Sequence, residues 1–198
     1  MPDGVVVVGR GANPDTPAGR RILEVAGVLF YERGIGAVGV DLIAEEAGTT
    51  KKTLYDRFGS KDALVAAYLK RREERWEEFL DEWLRTRAPR SGVDRVLAVL
   101  DAEEAWWAGS RRGCAFVNAH AELGESDHPG REVLREGKRR SRAKFTALLA
   151  EAGVADADTL GARVHMVYEG AMVNLTVGGM TGAFDEARDT IRALVAAG

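Results

Sequence analysis

Cysteine occurs once in the 198 residues, as Cys114, and proline only five times. One cysteine excludes an intramolecular disulfide framework and a multi-cysteine zinc site, and it fits a reducing compartment. Cys114 reads first as a small buried apolar side chain and second as a redox sensor. Long apolar runs are missing too. The longest early one, Val5 to Val8, falls far short of the ~18 residues of a membrane span and is too short for a secretory signal core. The expectation is a cytoplasmic protein with no membrane partner. No stretch alternates apolar and polar residues for long enough to make a strand, and no internal repeat is visible. Nor is there an excess of basic charge: the net charge is -3 and the pI ≈ 5.7.

What the chain does have is 45% hydrophobic and 30% charged residues, the balance of an ordinary globular protein. Its length suits one large or two small domains. Whole-chain charge does not decide whether a protein meets nucleic acid, because phosphate contact depends on where the cations sit. Between Thr49 and Lys61 four cations, Lys51, Lys52, Arg57 and Lys61, face one acid, Asp56, whereas Asp41, Glu45 and Glu46 crowd the segment before. One short segment is locally basic, with a net of +3.

Helical periodicity runs through almost all of the chain. Residues 1–15 are rich in glycine and proline without a period and read as an N-terminal arm. Thr16 then Pro17 is an N-cap followed by proline at the first helical position, and Ile22, Val25, Ala26, Leu29 and Phe30 form one stripe ending at Gly34. Two short helices follow, Val40 to Ala47 and Lys51 to Arg57, with Gly48 at the break, where a left-handed residue often closes a helix. Ser60 caps a long helix carrying Trp76, Phe79, Leu80, Trp83 and Leu84; the charged run from Lys70 to Arg75 reads as a solvated face. Further helices are expected around Val93 to Trp107, Cys114 to Leu123, Arg131 to Ala152, Ala157 to Val177 and Phe184 to Ala197, with breaks at Gly109 to Gly113 and Gly124 to Gly130. The fold class is all-α, with about nine helices.

The segment Gly34 to Lys61, GIGAVGVDLIAEEAGTTKKTLYDRFGSK, resembles the helix-turn-helix of the TetR family of transcriptional regulators. The matching positions are Val40, Ile43, Ala44, Ala47, Gly48, Leu54, Tyr55, Phe58, Ser60 and Lys61. The resemblance implies a three-helix DNA-binding domain at 16–60 and a larger helical effector-binding and dimerisation domain at 61–198. It also implies a homodimer on a double-stranded palindromic operator, acting most often as a repressor. A helix-turn-helix lays its second helix in the major groove, which places Thr49, Thr50, Lys51, Lys52 and Thr53 where they reach base edges or phosphates. By resemblance, Tyr55 and Lys61 bind the phosphate backbone. Gly39 stands where the family usually has Thr or Ser, and Lys52 where a small residue is common.

After residue 80 the resemblance is weaker, since each such protein builds its own pocket. Candidates to line one are Trp106, Trp107, Phe116, Asn118, His120, Phe145, His165, Tyr168 and Asn174, an aromatic-rich set with polar groups able to orient a partly apolar or aromatic effector. Asn118 and Asn174 stand out because a buried amide needs hydrogen-bond partners that a ligand can supply. The family places the dimer interface on the last two helices, where Gly161, Gly170, Ala171, Gly178 and Gly179 permit close approach and Phe184, Ile191, Leu194 and Val195 offer an apolar stripe. Two alternatives stand beside this reading. One is an all-helical enzyme using His120 or His165 with Glu122 or Glu169, and the other a protein-binding adaptor. The sequence holds no nucleophile motif, phosphate loop or metal-ligand spacing, so no catalytic residue, cofactor or metal is expected.

Overall fold

The computed structural model describes residues 13–108, 112–124 and 127–197, which form nine α-helices and no strand. Most of the expected N-terminal arm, residues 1–12, lies outside the described residues, as do residues 109–111, 125 and 126 of the two expected breaks. The helices are α1 (Pro17–Arg33), α2 (Val40–Glu46), α3 (Lys51–Phe58), α4 (Lys61–Thr86), α5 (Val93–Trp107), α6 (Ala115–Leu123), α7 (Gly130–Glu151), α8 (Ala157–Thr176) and α9 (Ala183–Ala196). They divide into two compact units: the chain up to Glu73 with Ala115–Arg135, and Glu74–Cys114 with the chain from Glu136 onward.

In the first unit α1, α3 and α4 each start where a side chain satisfies an orphan amide. Thr16 Oγ1 accepts from Gly19 N at 3.0 Å, Thr50 Oγ1 from Thr53 N at 3.1 Å and Ser60 Oγ from Ala63 N at 3.0 Å. The apolar stripe of α1, Ile22, Ala26, Leu29 and Phe30, is buried together with Ile43 and Ala44 of α2, Leu54 and Phe58 of α3, and Leu64, Val65, Tyr68 and Leu69 of α4. Phe30 and Tyr68 pack with ring centroids 5.7 Å apart. Helix α6 belongs to this unit and buries Ala115, Phe116, Ala119 and Leu123. A side chain at Gly130 would stand 3.1 Å from both Leu69 Cδ1 and Leu123 Cδ1, so glycine lets α7 begin hard against α4 and α6.

The second unit buries Leu80, Leu84, Val96, Leu97, Leu100, Phe145, Leu148, Leu149, Leu160, Val164, Tyr168, Phe184 and Ile191. Burying a side chain such as Phe145, fully removed from solvent, contributes roughly 1.5–3 kcal/mol over leaving it exposed. Gly161 of α8 meets Thr146 of α7 so closely that a Cβ would lie 2.3 Å from Thr146 Oγ1. That glycine therefore serves packing within the chain. Phe184 and Ile191, expected to offer α9 to a second copy, are 2% and 0% exposed and fill this same core. An exposed apolar strip lies on α8 and its C-cap instead, at Met166, Val173 and Val177, with half-buried Gly170 between them.

Basic α7 is held to α4 by two salt bridges, Arg140 to Glu77 at 2.7 Å and Lys144 to Asp81 at 2.9 Å. Both partners advance by four residues from one pair to the next, so the two helices run in the same direction here.

Candidate nucleic-acid interface

Helices α2 and α3 are joined by a turn in which Gly48 takes φ 61°. Ala47 N donates to Ile43 O at 3.0 Å, Gly48 N to Glu45 O at 2.9 Å and Thr49 N to Ala44 O at 2.9 Å, so three backbone bonds fix the angle between the helices. Because Leu54 and Phe58 face inward, the helical period turns Thr50, Lys51, Lys52, Tyr55 and Asp56 outward, where all are exposed. Thr49 and Thr53 are half-buried at the edge of this surface. Thr50 and Thr53 also link their hydroxyls at 2.9 Å, which orients both at the start of α3.

Neither lysine of α3 is idle. Lys51 Nζ lies 3.1 Å from Asp41 Oδ2, and Lys52 Nζ lies 2.7 Å from Asp56 Oδ2. The four side chains are 50% to 84% exposed, and such pairs contribute little to stability, so exchanging the carboxylate for another anion costs little. Lys61 behaves differently: its half-buried side chain turns back and donates to the carbonyl of Ile35 at 2.7 Å. Glu122, reached only by following the chain to α6, accepts from Gly36 N at 2.7 Å. Sequence reading took up Glu122 as a carboxylate partner for a histidine in the enzyme alternative, and no short-range signal links it to a loop 86 residues away.

The nine pocket candidates separate. Phe116, Asn118 and His120 lie in the first unit, with Phe116 buried, Asn118 half-buried and His120 exposed. In the second unit Phe145, His165 and Tyr168 come together, with centroids 5.2 Å apart for Phe145–Tyr168 and 6.2 Å for Phe145–His165. Trp106 joins a different aromatic group with Trp76 and Phe79, and Trp107 meets Phe184 edge-on. Asn174 is exposed and its amide donates to Gly170 O at 2.9 Å, so the buried amide expected there is a surface one.

Around His165 and Tyr168 the structure gathers ionic groups of which sequence reading named Glu169 but not Lys138 or Glu103. Lys138 Nζ bridges both carboxylate oxygens of Glu169 at 2.6 Å and lies 3.8 Å from Cys114 Sγ. Burial works to lower the Lys138 pKa, but neighbouring Cys114 and Glu169 outweigh it and hold the ammonium above its ordinary range. Burial likewise opposes ionisation of Glu169, yet His165 and Lys138 bring its carboxyl below the usual value. Tyr168 donates its hydroxyl to buried Glu103; desolvation and that carboxylate push the phenol well up, so Tyr168 remains a neutral donor.

Residues 22–68 match the family model for bacterial regulatory proteins of the tetR family. Over that segment the chain is similar to the TetR family. Over 73 residues it is 40% identical to the transcriptional repressor KstR2 of Mycolicibacterium smegmatis, covering 36% of this chain and 32% of that protein. Over 66 residues it is 38% identical to the transcriptional activator FasR of the same organism, covering 33% and 30%. The matches thus span about a third of these relatives' length. A TetR-family transcriptional regulator from Streptomyces coelicolor superposes with a TM-score of 0.79 at 29% identity, covering 90% of this chain and 94% of that one. The TetR likeness in sequence is concentrated where the helix-turn-helix lies, and the all-α architecture extends it over nearly the whole chain.

Proposed function

We propose that this TetR-family protein is a homodimeric transcriptional regulator, acting as a repressor, that reads a palindromic operator through α2 and α3. The observation that carries this is the edge formed by Thr50, Lys51, Lys52 and Tyr55, turned outward from a helix whose Leu54 and Phe58 are buried. Thr49 and Thr53 complete that edge, and Lys61 supplies a further cation at the start of α4. Cations at the start of a recognition helix suit phosphates and base edges, and hydroxyls oriented there suit either. The exposed α8 strip of Met166, Val173 and Val177, with Gly170 between them, supports pairing of two copies across a two-fold axis, which would space the recognition helices about 34–36 Å apart. A partly apolar or aromatic effector in the second unit, beside Phe145, His165 and Tyr168, would release the DNA by favouring a dimer of different spacing. These tilted rings stand next to the Lys138–Glu169 pair, which provides charge for orientation.

The test is binding to DNA from upstream of its own gene, followed by fluorescence anisotropy between 50 and 200 mM salt. If Lys51 neutralises one phosphate per protomer, Lys51→Met lowers the salt slope by about 1.8 per dimer, so wild type loses about 12-fold more affinity than the variant over that range. Binding that is neither sequence-selective nor salt-dependent, or that Lys51→Met and Tyr55→Phe leave unchanged, refutes the proposal.

A further inference from the structure

The peptide unit between Ile35 and Gly36 is held at both ends by opposite charges. Its carbonyl accepts from the ammonium of Lys61 on α4, and its N–H donates to the carboxylate of Glu122 on α6, each at 2.7 Å. A peptide dipole points its positive end along N–H and its negative end along C=O, so the two side chains stand where each is attracted. The surroundings are shaped for the carboxylate. Gly34 has φ 93°, and a Cβ there would lie 3.1 to 3.2 Å from the oxygens of Glu122. The loop from Gly34 to Gly39 is otherwise anchored by Ile35 and Val38, which are 7% and 0% exposed, and it leads directly into α2. The direction in which α2 and α3 leave α1 is therefore set partly by a carboxylate outside the helix-turn-helix segment.

We infer that Glu122 is a positioning residue for DNA recognition: from α6 it fixes the Ile35–Gly36 peptide and so presents the helix-turn-helix to DNA. This inference rests on the function proposed above. It also gives Lys61 and Glu122 unequal tasks. Lys61 has two acceptors in prospect, the Ile35 carbonyl and a DNA phosphate, whereas Glu122 repels phosphate and can only hold the loop. When Lys61 turns to DNA, Glu122 is the partner that still restrains the peptide.

The sign of the effect separates this from simple electrostatics. Removing an acidic side chain from a DNA-binding unit ordinarily tightens binding by reducing repulsion of phosphate; if Glu122 positions the loop, its removal weakens binding. Full-length wild type, Glu122→Ala and Glu122→Gln are compared by anisotropy on the upstream DNA fragment and by hydrogen exchange of the Gly36 amide in the absence of DNA. In Glu122→Ala the Gly36 amide is expected to exchange faster and DNA affinity to fall about threefold to tenfold, the scale of one charge-assisted bond near water. The salt slope stays that of wild type, because Glu122 touches no phosphate. Glu122→Gln, which keeps an acceptor oxygen, recovers most of both. Unchanged Gly36 exchange in Glu122→Ala, affinity equal to or tighter than wild type, or no recovery in Glu122→Gln overturns the inference. Should wild type itself select no DNA, the proposed function fails with it, and the exchange measurement still reports whether Glu122 holds the loop.

Discussion

Gly48→Ala isolates the cost of the turn between α2 and α3. Glycine is required there by backbone conformation and not by space: φ is 61°, while a Cβ would meet only Arg21 Nη2, at 3.9 Å. An L-residue in the left-handed region loses about 1–2 kcal/mol. Against that, alanine stiffens the unfolded chain and returns about 0.4–1 kcal/mol. The net expectation is a destabilisation of about 1 kcal/mol, which for a chain of this length lowers the melting temperature by about 2–4 °C. Circular dichroism during urea and thermal unfolding reads this directly, with Gly48→Asn as the comparison, since asparagine tolerates the left-handed region better than alanine. Asn is expected to fall between Gly and Ala, and Gly48→Val to be worst, because a β-branched side chain fits that region least. An alanine variant as stable as wild type, or one less stable than valine, would refute the assignment of strain to this position.

Two further expectations concern the same unit. Gly39 caps α2 with φ -84° and ψ 156° but no side-chain bond, and nothing lies within 4 Å of its missing Cβ. Gly39→Ser should therefore raise the unfolding free energy by a few tenths of a kcal/mol, read as a higher urea midpoint with an unchanged slope. His128 accepts from Gly130 N through Nδ1 at 2.9 Å and approaches Asp62 with Nε2 at 3.5 Å. Burial pulls its pKa below the usual histidine value despite the opposing pull of Asp62. With the folded pKa depressed, its contribution is complete above about pH 6.5 and is lost as pH falls through the folded value. Melting temperatures of wild type should thus drop more steeply between pH 7.5 and 5 than those of His128→Asn; parallel profiles would count against this.

The helices were legible because the 3.6-residue stripe and the caps are local properties. Thr16 and Ser60 each cap as their spacing implies, and Gly34 and Gly48 end or join helices at positive φ. The outward edge of α3 was legible for the same reason, since burying Leu54 and Phe58 fixes where Lys51 and Tyr55 point. What periodicity leaves open is which surface each stripe meets. Phe184 and Ile191 look identical in sequence whether they pack inside the chain or against a second copy, and the structure spends them inside. Asn174 sits on an apolar-looking helix yet faces solvent, because α8 has two apolar strips and only one is buried. Pairs such as Lys138 with Glu169, or Glu122 with Gly36, join residues 31 and 86 positions apart. No local rule ties them together.

The first unit is assembled from two stretches of chain separated by more than forty residues, with α6 contributed by the second. Tyr68 and Phe30 share a small cavity with Ala115, Ala119 and Glu122, so a fragment ending after α4 would uncover apolar surface and leave the Gly36 amide without its carboxylate. The reading head is consequently not a detachable module. On the reading proposed above, a chimera that grafts it onto the body of a TetR protein must carry α6 as well, and selection on α6 is then coupled to operator recognition even though α6 is remote from the helix-turn-helix in sequence.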